Sequence, residues 1–356
     1  MKKATKPSGS QKPSNRNHKV FSGISPRAFE HEADRAALAG LRNITGFDAL
    51  LKKVVGALGE KRMRLLFLAN AVRINEKQRP DLHRSFVEAC EILDLPEMPE
   101  LYITQSPELN AMAVGIDQPF VVVNSAMVQS CSKEELRCVL GHEAGHILSG
   151  HALYRTMLVV LLRAMQAIIP RAIVMMTLPI LLALHEWSRK SELSADRAGL
   201  LVSQDPDVSY RVCLMLAGGG DIQNYNIEEF EHQAEEYQNE GTVTDTLFKF
   251  LNLMWFSHPF PVMRILELKK WYASKQYQQI LAGKYTRRSD DDDAEMTTDI
   301  REGIRTYKEA LPEGKDSLNS LLQEALGTGG DFFQDVSDFF REKKESLKNS
   351  RPDSKV

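Results

Sequence analysis

The segment Gly141-His-Glu-Ala-Gly-His146 carries two histidines four residues apart. On a helix this spacing puts His142 and His146 on one face, one turn apart. Two imidazole nitrogens so placed can grip one Zn²⁺. Glu143, next to the first histidine, is within reach of a water that the ion polarises. Zinc lowers the pKa of such a water to roughly 7, and a carboxylate can then take its proton as it attacks a carbonyl. The pattern alone arises by chance in about one chain in a hundred of this length. The bland reading is a pair of hydrogen-bonded core histidines. The surroundings oppose it, because short strands precede a capped helix that is apolar on several sides.

A zinc site that stays open to water needs a third protein ligand. His151 is tempting but poorly spaced. The longer pattern that would use it needs Gly at 149 and His at 152, where this chain has Ser149 and Ala152. Glu192, in Ser191-Glu-Leu-Ser-Ala-Asp196, is the better candidate, since a carboxylate on a separate helix completes a two-His, one-Glu set. Asp196, one turn further on, can orient an imidazole by accepting its second N–H. Without the histidines, Glu192 and Asp196 would read as an ordinary exposed helix face.

These residues need elements to hold them. Ser132 and Glu135 form a capping-box pattern that starts the His142 helix, and Gly150 should stop it. Leu101–Thr104, Ala111–Val114 and Phe120–Val123 read as strands, separated by Pro, Asn, Gly and Asp. Apolar periodicity predicts helices over Ala28–Leu41, Phe47–Leu58, Lys61–Val72 and Pro80–Leu93 before them, and over His185–Val202, Ile227–Glu240 and Thr244–Phe256 after them. His31-Glu-Ala-Asp-Arg35 begins like a zinc motif, but no second His follows one turn later. It reads as a helix face.

Met157–Leu184 is the most apolar stretch, with Pro170 and Pro179 as breaks. Its charge-free run, Ala172–Leu184, is shorter than the roughly 18–20 residues that span a bilayer. A single span would bury Arg171 at a cost of roughly 2.5–3.5 kcal/mol. The favoured reading is a helical hairpin turning near Pro170.

Composition narrows the function classes. Lys and Arg number 45 against 48 Asp and Glu, so the net charge of −3 gives no reason to expect nucleic acid. Cys90, Cys131, Cys138 and Cys213 form no CxxC pair, which argues against a thiolate zinc knuckle and for reduced packing residues. The basic stretch Met1–Lys19, mostly Lys, Ser, Pro and Asn, has no apolar run of the kind a secretory signal needs. The expected organisation is a disordered basic tail over residues 1–25, one domain over 26–288, and an acidic linker with an amphipathic helical tail over 289–356. The expected location is cytoplasmic. Membrane association through 157–184, or through the aromatic face at 332–340, is the alternative.

The chain resembles the HtpX-like and CAAX prenyl protease-like zinc metallopeptidases, a gluzincin group. The resemblance spans roughly residues 99–264, with weaker similarity back to about Pro26. Four elements match in order: Asn110-Ala-Met-Ala113; Val139-Leu-Gly-His-Glu-Ala-Gly-His146; Glu192 with Asp196; and His258-Pro259 with Arg264. The resemblance implies that Asn110, Ala111, Met112 and Ala113 form an edge strand that holds substrate main chain. It implies that His258 is catalytic, stabilising the oxyanion, and that Arg264 supports the site by ion pairing. The best-known members carry clear transmembrane helices beside the site. Here only 157–184 occupies such a place.

The expected fold is α+β and predominantly helical, a zincin-like domain with a small sheet beside the active-site helix. The expected function is a zinc-dependent metalloendopeptidase with one Zn²⁺ per chain, acting on extended or unfolded polypeptides in protein quality control. His142, His146 and Glu192 would bind the metal, with Glu143 as general base and then acid. The rivals are a membrane-associated protease of the same family and a silent partner-binding scaffold. The intact Glu143 argues against the scaffold.

Overall fold

The computed structural model describes residues 18–44, 47, 50–51, 60–116, 118–165, 171–220, 222–239 and 261–293. Among them, helices predominate around a single four-stranded sheet.

Helix α1 (Glu32–Arg42) opens the regular structure, and α2 (Glu60–Asn70) leads into strand β1 (Val72–Ile74). The periodicity that predicts one helix over Lys61–Val72 overruns its end. Val72 and Ile74 are β-branched, and they pair instead with Ile103 and Leu101. Helix α3 (Pro80–Ile92) follows, then β2 (Leu101–Thr104), β3 (Ala111–Val114) and β4 (Phe120–Asn124). The order across the sheet is β1-β2-β4-β3. β2 and β4 run parallel at the centre, and β1 and β3 flank them antiparallel.

Period-two alternation splits the sheet into two faces. Leu101, Val121, Val123 and Ala111 join the main core. Tyr102, Phe120 and Val122 turn the other way, onto Phe67 of α2, with Met112 and Val114 packed beside them.

A short helix α4 (Ser125–Ser130) precedes α5 (Lys133–Leu148), which carries both histidines. The capping box of Ser132 and Glu135 is formed in both directions. The chain leaves α5 through Gly150, whose φ of +68° suits glycine. Helices α6 (His151–Met165) and α7 (Arg171–Ser203) then pack against each other.

Helix α7 corrects the expectation that Pro179 interrupts the chain. Its 33 residues stay helical through that proline and carry both the end of the apolar stretch and Glu192. An interior proline costs about 3 kcal/mol. Buried Ile180, Leu181, Leu184 and Trp187, immediately downstream, anchor the helix and offset that cost. No helix of the described residues is long and apolar enough to cross a membrane.

Helix α1 lies along α7. Leu41 of α1 joins Tyr154, Met157, Leu158, Leu181, Leu184 and Trp187 in one apolar cluster. Helices α8 (Pro206–Gly218), α9 (Ile227–Asn239), α10 (Pro261–Tyr272) and α11 (Lys275–Leu281) complete the body. Phe21 and Ile24 are fully buried, and Ser25 donates to Asp291 at 2.8 Å. The chain just before Pro26 and the 3₁₀ turn Arg288–Asp293 are therefore held together. Most of the expected helix at Phe47–Leu58, the helix at Thr244–Phe256 and the aromatic tail face lie outside the described residues.

Candidate metal centre

Two helices supply the metal-ligating atoms. His142 and His146 project from α5, and Glu192 projects from α7. His142 Nε2 and His146 Nε2 are 3.1 Å apart. Glu192 Oε2 is 3.5 Å from His142 Nε2, and Glu192 Oε1 is 3.4 Å from His146 Nε2. A tetrahedral zinc with bonds of about 2.0–2.1 Å spaces its ligand atoms about 3.4 Å apart. The triangle therefore fits that ion, and its chemistry of two imidazoles and one carboxylate suits zinc. All three residues are buried.

Small residues let α5 and α7 come this close. A Cβ on Gly141 would lie 2.6 Å from Val202 Cβ, so only glycine fits there. The same contact line brings Asp196 to the first histidine.

Outer partners orient the ligands. His142 Nδ1 is 3.0 Å from Asp196 Oδ1. Arg264 of α10 holds Asp196 with two hydrogen bonds, Nε to Oδ2 at 2.7 Å and Nη2 to Oδ1 at 2.6 Å. Its Nη1 lies 3.2 Å from Glu192 Oε2. Burial alone would raise the Asp196 carboxyl, but the Arg264 charge and hydrogen bonds, with His142, hold it below the usual range. Burial likewise opposes a charge on His142. Asp196 and Glu192 outweigh it and raise that imidazole to about 9.

His146 has different company. Its Nδ1 is 3.0 Å from His151 Nδ1. Its Nε2 is 2.9 Å from Arg155 Nη1, and Arg155 Nη1 also hydrogen-bonds Glu192 Oε1. Burial and the Arg155 charge push His146 well below its ordinary pKa.

Glu143 is 1% exposed, with Oε1 3.9 Å from His142 Nε2. Its Oε2 has no hydrogen-bond partner among the described residues. A buried carboxylate oxygen without a partner, beside a metal-ligating set, is placed to accept a proton from a reacting water. Ala111 of β3 lines one pocket with His142, Glu143, Val139, Val212 and Leu216. β3 is an outer strand of the sheet, so Ala111, Met112 and Ala113 run along its edge, with Asn110 just before them. Asn110 O accepts from Asn124 N at 2.9 Å. His258 lies outside the described residues.

The roles of three residues at the site were not visible in the sequence. Arg155 enters the ligand triangle from α6, one turn after His151. His151 is no member of the ligand cluster but bonds the back of His146. Asp34, in the segment read as a helix face, reaches His151. A signal for Asp34 existed: it falls on the stripe of Leu38 and Leu41, where an acidic residue is out of character.

The sequence profile of Peptidase family M48 matches residues 76–272. The plastoglobule-localized metallopeptidase 48 of Arabidopsis thaliana is 33% identical over 267 residues, covering 74% of this chain and 77% of that protein. Protease HtpX of Xylella fastidiosa is 42% identical over 55 residues, 15% of this chain and 19% of that one. An HtpX homolog of Lactobacillus helveticus is 34% identical over 99 residues, 27% of this chain and 33% of its own. No solved structure matches the chain. With its His-Glu-x-x-His helix and a downstream Glu meeting at one buried point, the chain belongs to peptidase family M48 and is a zinc metalloendopeptidase.

Proposed function

We propose that the enzyme cleaves extended or unfolded polypeptides, in a protein quality-control role. The observation that carries this reading is the outer strand β3, whose Ala111 shares a pocket with His142 and Glu143. An extended peptide can add to such a strand by main-chain hydrogen bonds, with little demand on its sequence. A folded substrate cannot present its backbone in that way.

His142, His146 and Glu192 would hold the zinc ion, which when bound would supply the Lewis acidity that activates water and polarises the scissile carbonyl. Glu143 takes the proton of the attacking water on Oε2 and returns it to the leaving nitrogen. Asp196 accepts the Nδ1 proton of His142 and so fixes that ring, while Arg264 fixes Asp196. Asn110, Ala111, Met112 and Ala113 align the substrate backbone. The resemblance assigns His258 to the developing oxyanion.

The test compares one protein in two states. A reduced and alkylated, permanently unfolded substrate is expected to be cut at many sites, and its native form to remain intact. Equal cleavage of both forms would contradict the reading.

The four cysteines make no CxxC pair and are too few for a disulfide scaffold, which favours a reducing compartment such as the cytoplasm. A second reading keeps the chemistry and places it at a lipid surface. One relative's name localises that protein to plastoglobules, and Val159 on α6 is half exposed. Co-flotation of the purified enzyme with liposomes would support the lipid reading; recovery in the unbound fraction at all lipid compositions would contradict it.

A further inference from the structure

We propose that Asp34 and His151 are a positioning pair for His146: Asp34 holds the His151 ring, and His151 accepts the Nδ1 proton of His146, which leaves the His146 Nε2 lone pair for the metal. The proposal rests on the zinc reading above and adds residues that no motif assigns.

Counting protons along the chain of contacts fixes its direction. Arg155 can only donate. Its Nη1 lies 2.9 Å from His146 Nε2, so that nitrogen accepts and carries no proton. The neutral ring then bears its proton on Nδ1, 3.0 Å from His151 Nδ1. His151 must accept there, and its own proton sits on Nε2. That nitrogen is 3.1 Å from Asp34 Oδ2, which accepts. Ser194 Oγ donates to the same oxygen at 2.5 Å and itself accepts from the His31 N–H at 2.8 Å. From His146 Nδ1 onward each N–H meets an acceptor, and the polarity runs from the metal-facing lone pair to the Asp34 carboxylate. This is the arrangement by which a carboxylate sets the tautomer of a metal-ligating histidine, extended here by one imidazole.

Burial argues against a purely structural role. Asp34 is 1% exposed, and its Oδ1 has no hydrogen-bond partner among the described residues. A buried carboxylate with an idle oxygen weakens a fold. The stripe of Leu38 and Leu41 would accept an apolar residue at that position. The charge is also felt locally, because burial together with the Asp34 carboxylate pushes Glu30 up to about 7. Asp34 lies on α1, outside the segment 76–272 that the family profile matches, whereas His151 lies inside it. The pair therefore ties the N-terminal helix to the metal centre.

The test measures zinc affinity by competition with a chromophoric chelator, and the visible spectrum of the cobalt(II)-substituted protein. His151→Leu removes the acceptor; His151→Asn keeps an amide oxygen near the place of Nδ1; Asp34→Asn removes the charge with little change of shape. Circular dichroism of the metal-free proteins reports folding. Wild type is expected to bind one zinc. His151→Leu and Asp34→Asn should bind it about ten- to a hundredfold more weakly, with shifted cobalt bands. His151→Asn should stay within about threefold of wild type, as a retained acceptor requires. The pair is overturned if His151→Leu and Asp34→Asn match wild type in affinity and spectrum. It is equally overturned if His151→Asn loses as much as His151→Leu. A folded wild type that binds no zinc would instead overturn the zinc reading, and the pair with it.

Discussion

Gly145 of α5 and Ala198 of α7 meet so closely that a Cβ on Gly145 would lie 2.4 Å from the Ala198 methyl. That contact sets the distance between the helix of the two histidines and the helix of Glu192. On an exposed helix, Gly→Ala stabilises by about 1 kcal/mol. Here the sign reverses. Gly145→Ala should destabilise by about 1–3 kcal/mol through overpacking and should weaken zinc binding by pushing Glu192 away. Urea unfolding and chelator competition check the two effects. A variant as stable as wild type would mean that the helices are free to separate.

Arg264 is the cation between two buried carboxylates. Removing it leaves Asp196 without its bidentate partner and Glu192 without its second cation. Arg264→Met should cost about 3–5 kcal/mol of stability, read by urea unfolding of the metal-free protein. A loss below about 1 kcal/mol, the scale of a surface pair, would contradict the buried network.

The raised pKa of His142 gives zinc binding a pH dependence. With that imidazole near 9 in the metal-free site, it holds a proton at neutral pH that the metal must displace. Acid therefore favours the proton over zinc. Apparent zinc affinity should rise by about tenfold per pH unit toward 9 and level off above it. Chelator-buffered titrations between neutral and alkaline pH measure the slope. A flat profile would show that His142 is already neutral without metal.

Arg155 takes two lone pairs that a metal ion needs, those of His146 Nε2 and Glu192 Oε1. Hydrogen bonds to charged groups contribute about 1.5–3 kcal/mol. Arg155→Met should therefore tighten zinc binding by about tenfold. Weaker binding in this variant would assign the guanidinium a supporting role rather than a competing one.

Much of the site was legible in the sequence because its signals are local. His142, Glu143 and His146 declare themselves by spacing on one helix, and the capping box at Ser132 marks where that helix begins. Glu192 and Asp196 were legible as a pair one turn apart, once a third ligand was required. The illegible part is long-range. Arg155, His151 and Asp34 acquire their roles only where α1, α6 and α7 pack together, and no spacing rule links residue 34 to 151. In the fold, the three-residue β1 is too short to display alternation, and Pro179 reads locally as a breaker. Both were decided by partners distant in sequence: β2 for the strand, and the apolar cluster around Trp187 for the helix.

The proposed chemistry turns on Glu143 activating water at a zinc held by His142, His146 and Glu192. It is tested most directly by casein cleavage with wild type and Glu143→Gln, with the zinc content of both measured in parallel. One zinc per chain is expected in each protein, with a rate at least about a hundredfold lower in the variant, the scale of a lost general base. A folded wild type without zinc, or a Glu143→Gln enzyme that cuts casein as fast as wild type, would contradict it.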